Sequence, residues 1–229
     1  AHADLHLGSK FRVFGEGLYS HSSIDQFRLG SIPEAPNING DMQNLFAEFS
    51  TPVAGRWNGG VWGGRRELQF GHERMVSPGN WLLNQHTYDG AGAWIQNGNH
   101  RVEGFVTRPH IPVPDMFSRR DDETVFSGLF YTTALVNRPP VAAAGAPAGR
   151  ETRINLQPYV LHIKREDVTF VQHTANEDRW TFGLLAYGDV GRTGFDFEYE
   201  GMFQYGRYNT GFDKGMVHAH STTIEMGYR

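Results

Sequence analysis

The stretch "GFDFEYEGMFQYG" at residues 194–206 alternates without a break. Phe195, Phe197, Tyr199, Gly201, Phe203 and Tyr205 fall on one parity. Asp196, Glu198, Glu200, Met202 and Gln204 fall on the other. Successive side chains of a strand point to opposite faces, so this strand has an aromatic face and a largely acidic one. Only two environments suit such a strand. A soluble sheet turns its rings to a core and its acids to water. A transmembrane barrel turns its rings to lipid and its acids to an aqueous lumen.

The same period of two runs through the chain, and apolar runs with a period of 3.6 are nearly absent. Strand patterns occupy 3–7, 11–20, 42–50, 59–71, 86–96, 100–108, 123–136, 152–164, 178–188, 194–206 and 216–228, about ten strands joined as an antiparallel up-and-down meander. Pro158 inside one run predicts a bulge or a strand end. The turns at Gly8-Ser9-Lys10, Asn97-Gly98-Asn99 and 189–194 are tight, whereas 21–41, 72–85, 109–122 and 137–151 are long. Short turns on one rim and long loops on the other are the pattern of an outer-membrane barrel. The expected fold class is therefore all-β, a transmembrane β-barrel in a single domain over 1–229. "TTIEMGYR" stops inside a strand pattern, and the expectation is a piece of a larger barrel, incomplete at both ends.

Composition removes several function classes. With no Cys there is neither a disulfide framework nor a thiolate metal site. A formal net charge of −4 offers no basic patch for nucleic acid. Mean hydropathy is −0.48, and no stretch approaches the roughly 20 apolar residues of a membrane helix. A barrel strand needs only about ten alternating residues, so its mean hydropathy looks soluble.

Assigning one parity of each strand to lipid leaves the other to be read. Trp62, Gly64, Leu68 and Phe70 go outward, and Arg65, Glu67 and Gln69 inward. Leu45, Ala47 and Phe49 go outward, and Asn44 and Glu48 inward. Val102, Gly104 and Val106 go outward, and Arg101, Glu103 and Thr107 inward. Arg12 and Glu16 share an inward face. Trp180, Phe182 and Leu184 go outward, and Arg179 and Thr181 inward. The inward face thus mixes Arg with Glu, and buried charges of either sign must be paired or hydrated. Two functions fit it: salt-bridged filling of a narrow barrel, or a hydrated conduit whose guanidinium groups take carboxylates by bidentate hydrogen bonds. Arg66 faces lipid on strict alternation, so it must snorkel at a rim or a bulge at Gly63-Gly64 must shift the phase.

At "GGRRELQFGHERMVSPGNWLLNQHTYDG" (63–90) the chain resembles the alginate export family of outer-membrane β-barrels. Its "GRQEL" element is matched by Gly64-Arg65-Arg66-Glu67-Leu68, and its "G..R" by Gly71 and Arg74. Trp81 matches its loop Trp, and His86-Thr87-Tyr88-Asp89-Gly90 its "RTFDG". The early strands "ADLHLGSKFRVFGE" and "MQNLFAEFS" and the later hairpin within 179–206 are also similar. The resemblance implies a barrel of about 18 strands with an arginine-rich lumen, set in outer-membrane lipid, with periplasmic export partners. It implies passage of an anionic uronate polysaccharide or of small anionic or sugar solutes. It places Arg65 and Asp89 at pore-lining charges. Two positions depart from the family: His86 stands for an arginine, and so does Leu185. The pathway expected from parity and resemblance together is Arg12, Glu16, Glu48, Arg65, Glu67, His86, Asp89, Arg101, Glu103, Arg179, Glu198 and Glu200.

Other chemistry is thinner. His218 and His220 share a strand face at a spacing that can bind metal, with no third ligand in sight. Asp121, Asp122 and Glu123 form a charged loop with oxygen ligands for calcium, or simply a solvated loop. No nucleophile order, phosphate loop or nucleotide fingerprint stands out, so no cofactor and no enzyme activity are expected. A soluble β-sandwich carbohydrate enzyme or lectin, with acids such as Glu198 and Glu200, is the alternative. A purely structural or adhesion barrel is the third.

Overall fold

The computed structural model describes residues 1–20, 38–79, 85–111, 113, 117–138, 152–169, 174–210 and 214–228. Twelve strands form one antiparallel sheet. They are β1 (His2–Leu7), β2 (Phe11–Ser20), β3 (Ile38–Ala54), β4 (Trp57–Arg66), β5 (Tyr88–Asn97), β6 (His100–Ile111), β7 (Arg119–Arg120), β8 (Thr124–Arg138), β9 (Thr152–Thr169), β10 (Thr174–Val190), β11 (Phe195–Asn209) and β12 (Lys214–Tyr228). The order is β1-β2-β3-β4-β5-β6-β8-β9-β10-β11-β12, with β7 paired to β6 off that path. Neighbours in sequence are neighbours in space, as a meander requires. β1 and β12 stand at the two ends of this order, which does not close on itself among the described residues. The twelve strands are the eleven patterns read from the sequence, there counted as about ten, plus β7, which at two residues long carries no alternation that a sequence could reveal.

Three glycines with left-handed backbone set the tight turns: Gly8 (φ 67°), Gly55 (φ 57°) and Gly98 (φ 56°). An L side chain rarely adopts such angles. The turn at Gly55-Arg56 joins β3 to β4 between the patterns read at 42–50 and 59–71, and it adds a tight turn to those read from the sequence. The expected grouping of the long loops is corrected as well. Strand direction reverses at each step, so the end of β8 at Arg138 lies at the same edge as the end of β5 at Asn97. Two long connections that flank a single strand cannot share a rim. The connection 139–151 itself, like Trp81 and most of loop 21–41, lies outside the described residues. Pro158 breaks nothing: it stands in register opposite Leu184, and the irregularity of that pair lies between Ala175 and Glu177.

The chain falls into two compact units, the first Ala1–Thr51, Gly59–Ala93 and Phe105–Phe126, the second Pro52–Asn58, Trp94–Gly104 and Ser127–Arg229. In the second unit the two faces of β9–β12 separate cleanly. Cross-strand rows follow from the register: His162, Trp180, Tyr205 and His218 form one, and Val160, Phe182, Phe203 and His220 the next. The rows continue along the strands to Thr152, Val190, Phe195 and Tyr228. Six positions on each of these four strands carry no Asp, Glu, Lys or Arg. Trp180, Phe182, Phe195, Phe203 and Tyr205 on this face are exposed, whereas Leu185 and Glu200 on the opposite face are buried. That is the reverse of a soluble sheet, whose rings would be covered and whose acids would be wet.

In the first unit the alternation slips. Glu16 pairs with Asn44 but Gly17 pairs with Met42, which leaves Gln43 as an extra residue on β3. Gly64 on β4 has φ 125°, and a Cβ there would stand 2.3 Å from Leu45 O. On β6 the buried positions step from Thr107 to His110, across Pro109. Each extra residue swaps the faces of everything beyond it. Trp62, expected to point outward, is buried for this reason, with 4% exposure, whereas Leu68, also expected outward and only 2% exposed, lies past the end of β4, where alternation no longer applies. Arg66 stacks 4.8 Å from the rings of both Phe46 and Trp62, so the bulge alternative is the one observed.

Candidate functional site

The charged face is built from side chains that β-pairing sets opposite one another. In the first unit, Arg12 on β2 gives two hydrogen bonds to Asp4 on β1, at 2.8 and 3.0 Å. It stands opposite Glu48 in register and lies over the rings of Phe14 and Phe46. Asn44 links two carboxylates: its amide donates to Glu16 at 2.8 Å and to Glu67 at 3.3 Å. Asn44 Oδ1 also accepts from the Glu67 backbone N–H at 2.9 Å. Gln43 adds a bond to Glu67 at 3.0 Å. Glu67 lies just past the end of β4, and this amide pair, rather than the ladder, fixes its place.

Arg65 is the centre of a second cluster. Its Nε donates to Asp89 at 3.1 Å, and its Nη1 reaches Met42 O at 3.0 Å and Asp41 at 3.5 Å. His110 Nε2 lies 2.6 Å from the other oxygen of Asp89. Asp41 also accepts from the backbone N–H and the hydroxyl of Ser118. Four strands, β3 to β6, and Ser118 just before β7 therefore converge on one guanidinium and two carboxylates. Asp41 and His110 escaped the sequence reading: Asp41 was placed in a loop, and His110 has the wrong parity unless Pro109 is allowed a bulge. A Pro inside a strand run is the signal that could have found it. His86 stays outside β5 and is exposed, its backbone N–H donating to Pro78 O at 2.7 Å.

In the second unit, Arg101 is held by Glu103 at 2.8 Å and by Gln96 at 3.2 Å, and lies 4.6 Å from the Trp94 ring. Arg179 pairs with Glu177 at 3.1 Å and donates to Gln204 at 3.3 Å, and Arg165 lies 3.7 Å from the same Glu177. Glu200 is buried and accepts from Tyr159 Oη at 2.7 Å. Glu198 is half-buried, in register between Tyr187 and Glu225. Leu185, fully buried and in register opposite Glu200, fills the place where the resemblance expected an arginine. Arg165 and Glu177 lie one residue outside the patterns at 152–164 and 178–188, and Tyr159 lies on a run whose two faces the sequence reading does not assign.

Each arginine named on this face meets a carboxylate or amide, and Arg12, Arg101 and Arg165 keep about a third of the side chain exposed. A guanidinium has five donors, so those left over can take a further carboxylate. His218 and His220 lie on the uncharged face opposite Tyr205 and Phe203. Among the described residues no group of three or more His, Asp or Glu could hold a metal ion. In the 119–123 segment Asp122 pairs with Arg120 at 2.6 Å, and Asp121 accepts from the Glu123 backbone N–H at 2.9 Å.

A family model described as alginate export matches residues 1–229, the whole chain. The chain belongs to the alginate export family. Nothing matches it among the curated proteins or among the solved structures. The alginate export family is a transporter family of the outer membrane that exports polysaccharide, not an enzyme family. Of the alginate export positions singled out in the sequence, Arg65 and Asp89 are hydrogen-bonded to each other, and His86 stands apart from them.

Proposed function

We propose that this chain supplies consecutive strands of an outer-membrane β-barrel channel, and that its charged face lines the path of an anionic uronate polysaccharide. The observation that carries this reading is the face of β9–β12 without a charge. Its rows run over ten residue steps, from Trp180 to Val190. At about 3.3 Å per residue and a tilt near 40°, that is a band about 25 Å high, the height of the lipid-facing band of outer-membrane barrels. Aromatic rows border it, with Trp180 and Tyr205 at one end and Phe195 and Tyr228 at the other. With that face against lipid, the Arg and Glu side chains face water on the other side.

The chemistry of that side suits transit. Arginines attract uronate carboxylates, and the acids and amides already bonded to them weaken each contact enough for release. Arg12, Glu16, Glu48, Arg65, Glu67, Asp89, Arg101, Glu103, Arg179, Glu198 and Glu200 are the side chains of this path, and His86 lies at its border. The test is current through the protein in planar bilayers. An oligouronate should block the current, and a neutral oligosaccharide of equal length should not. Arg12→Gln and Arg101→Gln should each weaken the block several-fold. Equal block by the charged and neutral oligomers would remove the electrostatic reading, and absence of any conductance would remove the channel.

A further inference from the structure

One border of the uncharged face carries a feature that polysaccharide export does not use. One row beyond His162, Trp180, Tyr205 and His218, the register places Lys164, Asp178, Arg207 and Met216 side by side across β9–β12. Lys214 follows on β12, paired with Asn209. Lys164, Glu166, Asp178, Arg207, Lys214 and Met216 line one shared depression.

Two of the cations are held weakly. The only ion pair of Arg207 among the described residues is with Asp178, at 3.8 Å, and its side chain is 76% exposed. Lys214 makes no ion pair among the described residues, whereas Lys164 is tied to Glu166 at 2.8 Å. Asp178 is already engaged by His162 Nε2 at 2.9 Å, and His162 stacks on Trp180 with centroids 4.2 Å apart. Among the described residues three cations, Lys164, Arg207 and Lys214, thus face two carboxylates, Glu166 and Asp178. Within that set one positive charge is left over, on the two side chains with the most unused donors.

Depth identifies the ligand class. Tyr and Trp rings settle at the level of lipid headgroups. A step of two residues beyond such a row is about 5 Å further along the membrane normal for a tilted strand. Cations at that height lie among phosphates, and a phosphate group offers oxygens to a guanidinium fork and to an ammonium together. We infer that Arg207 and Lys214 form a binding site for the phosphate headgroup of one membrane lipid, with Tyr205 and Met216 packed against the lipid below it. Asp178 limits its affinity, since its carboxylate competes for Arg207. The inference rests on the barrel reading above but not on conduction.

The experiment uses the full chain refolded into phosphatidylcholine vesicles that also contain phosphatidylglycerol, bisphosphorylated lipid A or a galactolipid without phosphate. The protein is then purified in a nonionic detergent, and retained lipid is counted by mass spectrometry. The two phosphate lipids should be retained and the galactolipid lost, and the ratio of the first two identifies the headgroup preferred. The R207Q/K214Q variant should retain at least tenfold less, from about fivefold for each cation removed at a lipid surface. Asp178→Asn should retain several-fold more. Equal retention of the galactolipid, or unchanged retention by R207Q/K214Q in protein that floats with the vesicles, overturns the site. Should R207Q/K214Q fail to insert, Asp178→Asn decides: retention at or below that of the unaltered protein overturns it. A chain that does not float with any vesicle overturns the barrel reading as well.

Discussion

Replacing Arg65 tests whether the charged face is a connected structure or a set of independent surface charges. Its side chain is 19% exposed, Asp89 29% and Asp41 8%. At an effective dielectric near 20, the contacts at 3.1 and 3.5 Å are each worth about 5 kcal/mol before desolvation is subtracted. Desolvation removes most of that gain for the intact pair, but Arg65→Met leaves two largely buried carboxylates and Met42 O without their donor. Losing one partner of a buried pair costs about 3–5 kcal/mol. His110 still serves Asp89 and Ser118 still serves Asp41, so the expected loss is at the lower end, about 3 kcal/mol. Asp89→Asn keeps an oxygen for Arg65 Nε and should cost about 1–2 kcal/mol. The double variant R65M/D89N should be less damaged than the sum, with a coupling of about 1–2 kcal/mol. Urea titration of vesicle-inserted protein, followed by Trp fluorescence, measures all four corners of the cycle. Additivity within about 0.5 kcal/mol would mean that Arg65 is bonded to water rather than to Asp89, and the cluster as described would be wrong.

Three further outcomes are expected. Gly90→Ala places a Cβ 2.3 Å from Val106 O and 2.7 Å from Thr107 Cα, so β5 and β6 must part, at about 1–3 kcal/mol, whereas Gly104→Ala, with its nearest atoms at 3.2 Å, should be milder; urea midpoints compare them. Tyr159→Phe removes the donor to buried Glu200 and should lower stability by about 1–3 kcal/mol, and Glu200→Gln, which keeps an acceptor, should lose less in the same assay. In vesicles of brominated lipid, a variant whose sole tryptophan is Trp180 should be strongly quenched and one retaining only Trp62 should not; equal quenching would mean that the two faces have been misassigned.

The period of two was sufficient to identify the sheet and its meander order, because alternation and turn glycines are local properties of the chain; the family was legible only in the resemblance of 63–90. Eleven strand patterns correspond in order to β1–β6 and β8–β12. Alternation also separated Phe195, Phe203, Trp180 and Val106, which are exposed, from Glu200, Thr181 and Thr107 on the opposite parity, which are buried. It carried the pairing of Arg101 with Glu103, which lie two residues apart on one strand. Parity failed where a strand holds one residue more than its partner. Gln43 and the backbone at Gly64 shift the phase within β3 and β4, and the step across Pro109 does so within β6. The composition of a single strand does not record how many residues its neighbour has over the same length. That mismatch appears only when the strands are paired, and it decides which residues meet. It buries Trp62 under Arg66 and brings His110 to Asp89. It also lets Asp41, from a stretch that reads as loop, close the cluster around Arg65. The sequence by itself therefore determined which residue types the charged face would hold, and the tertiary pairing decided which of them are partners.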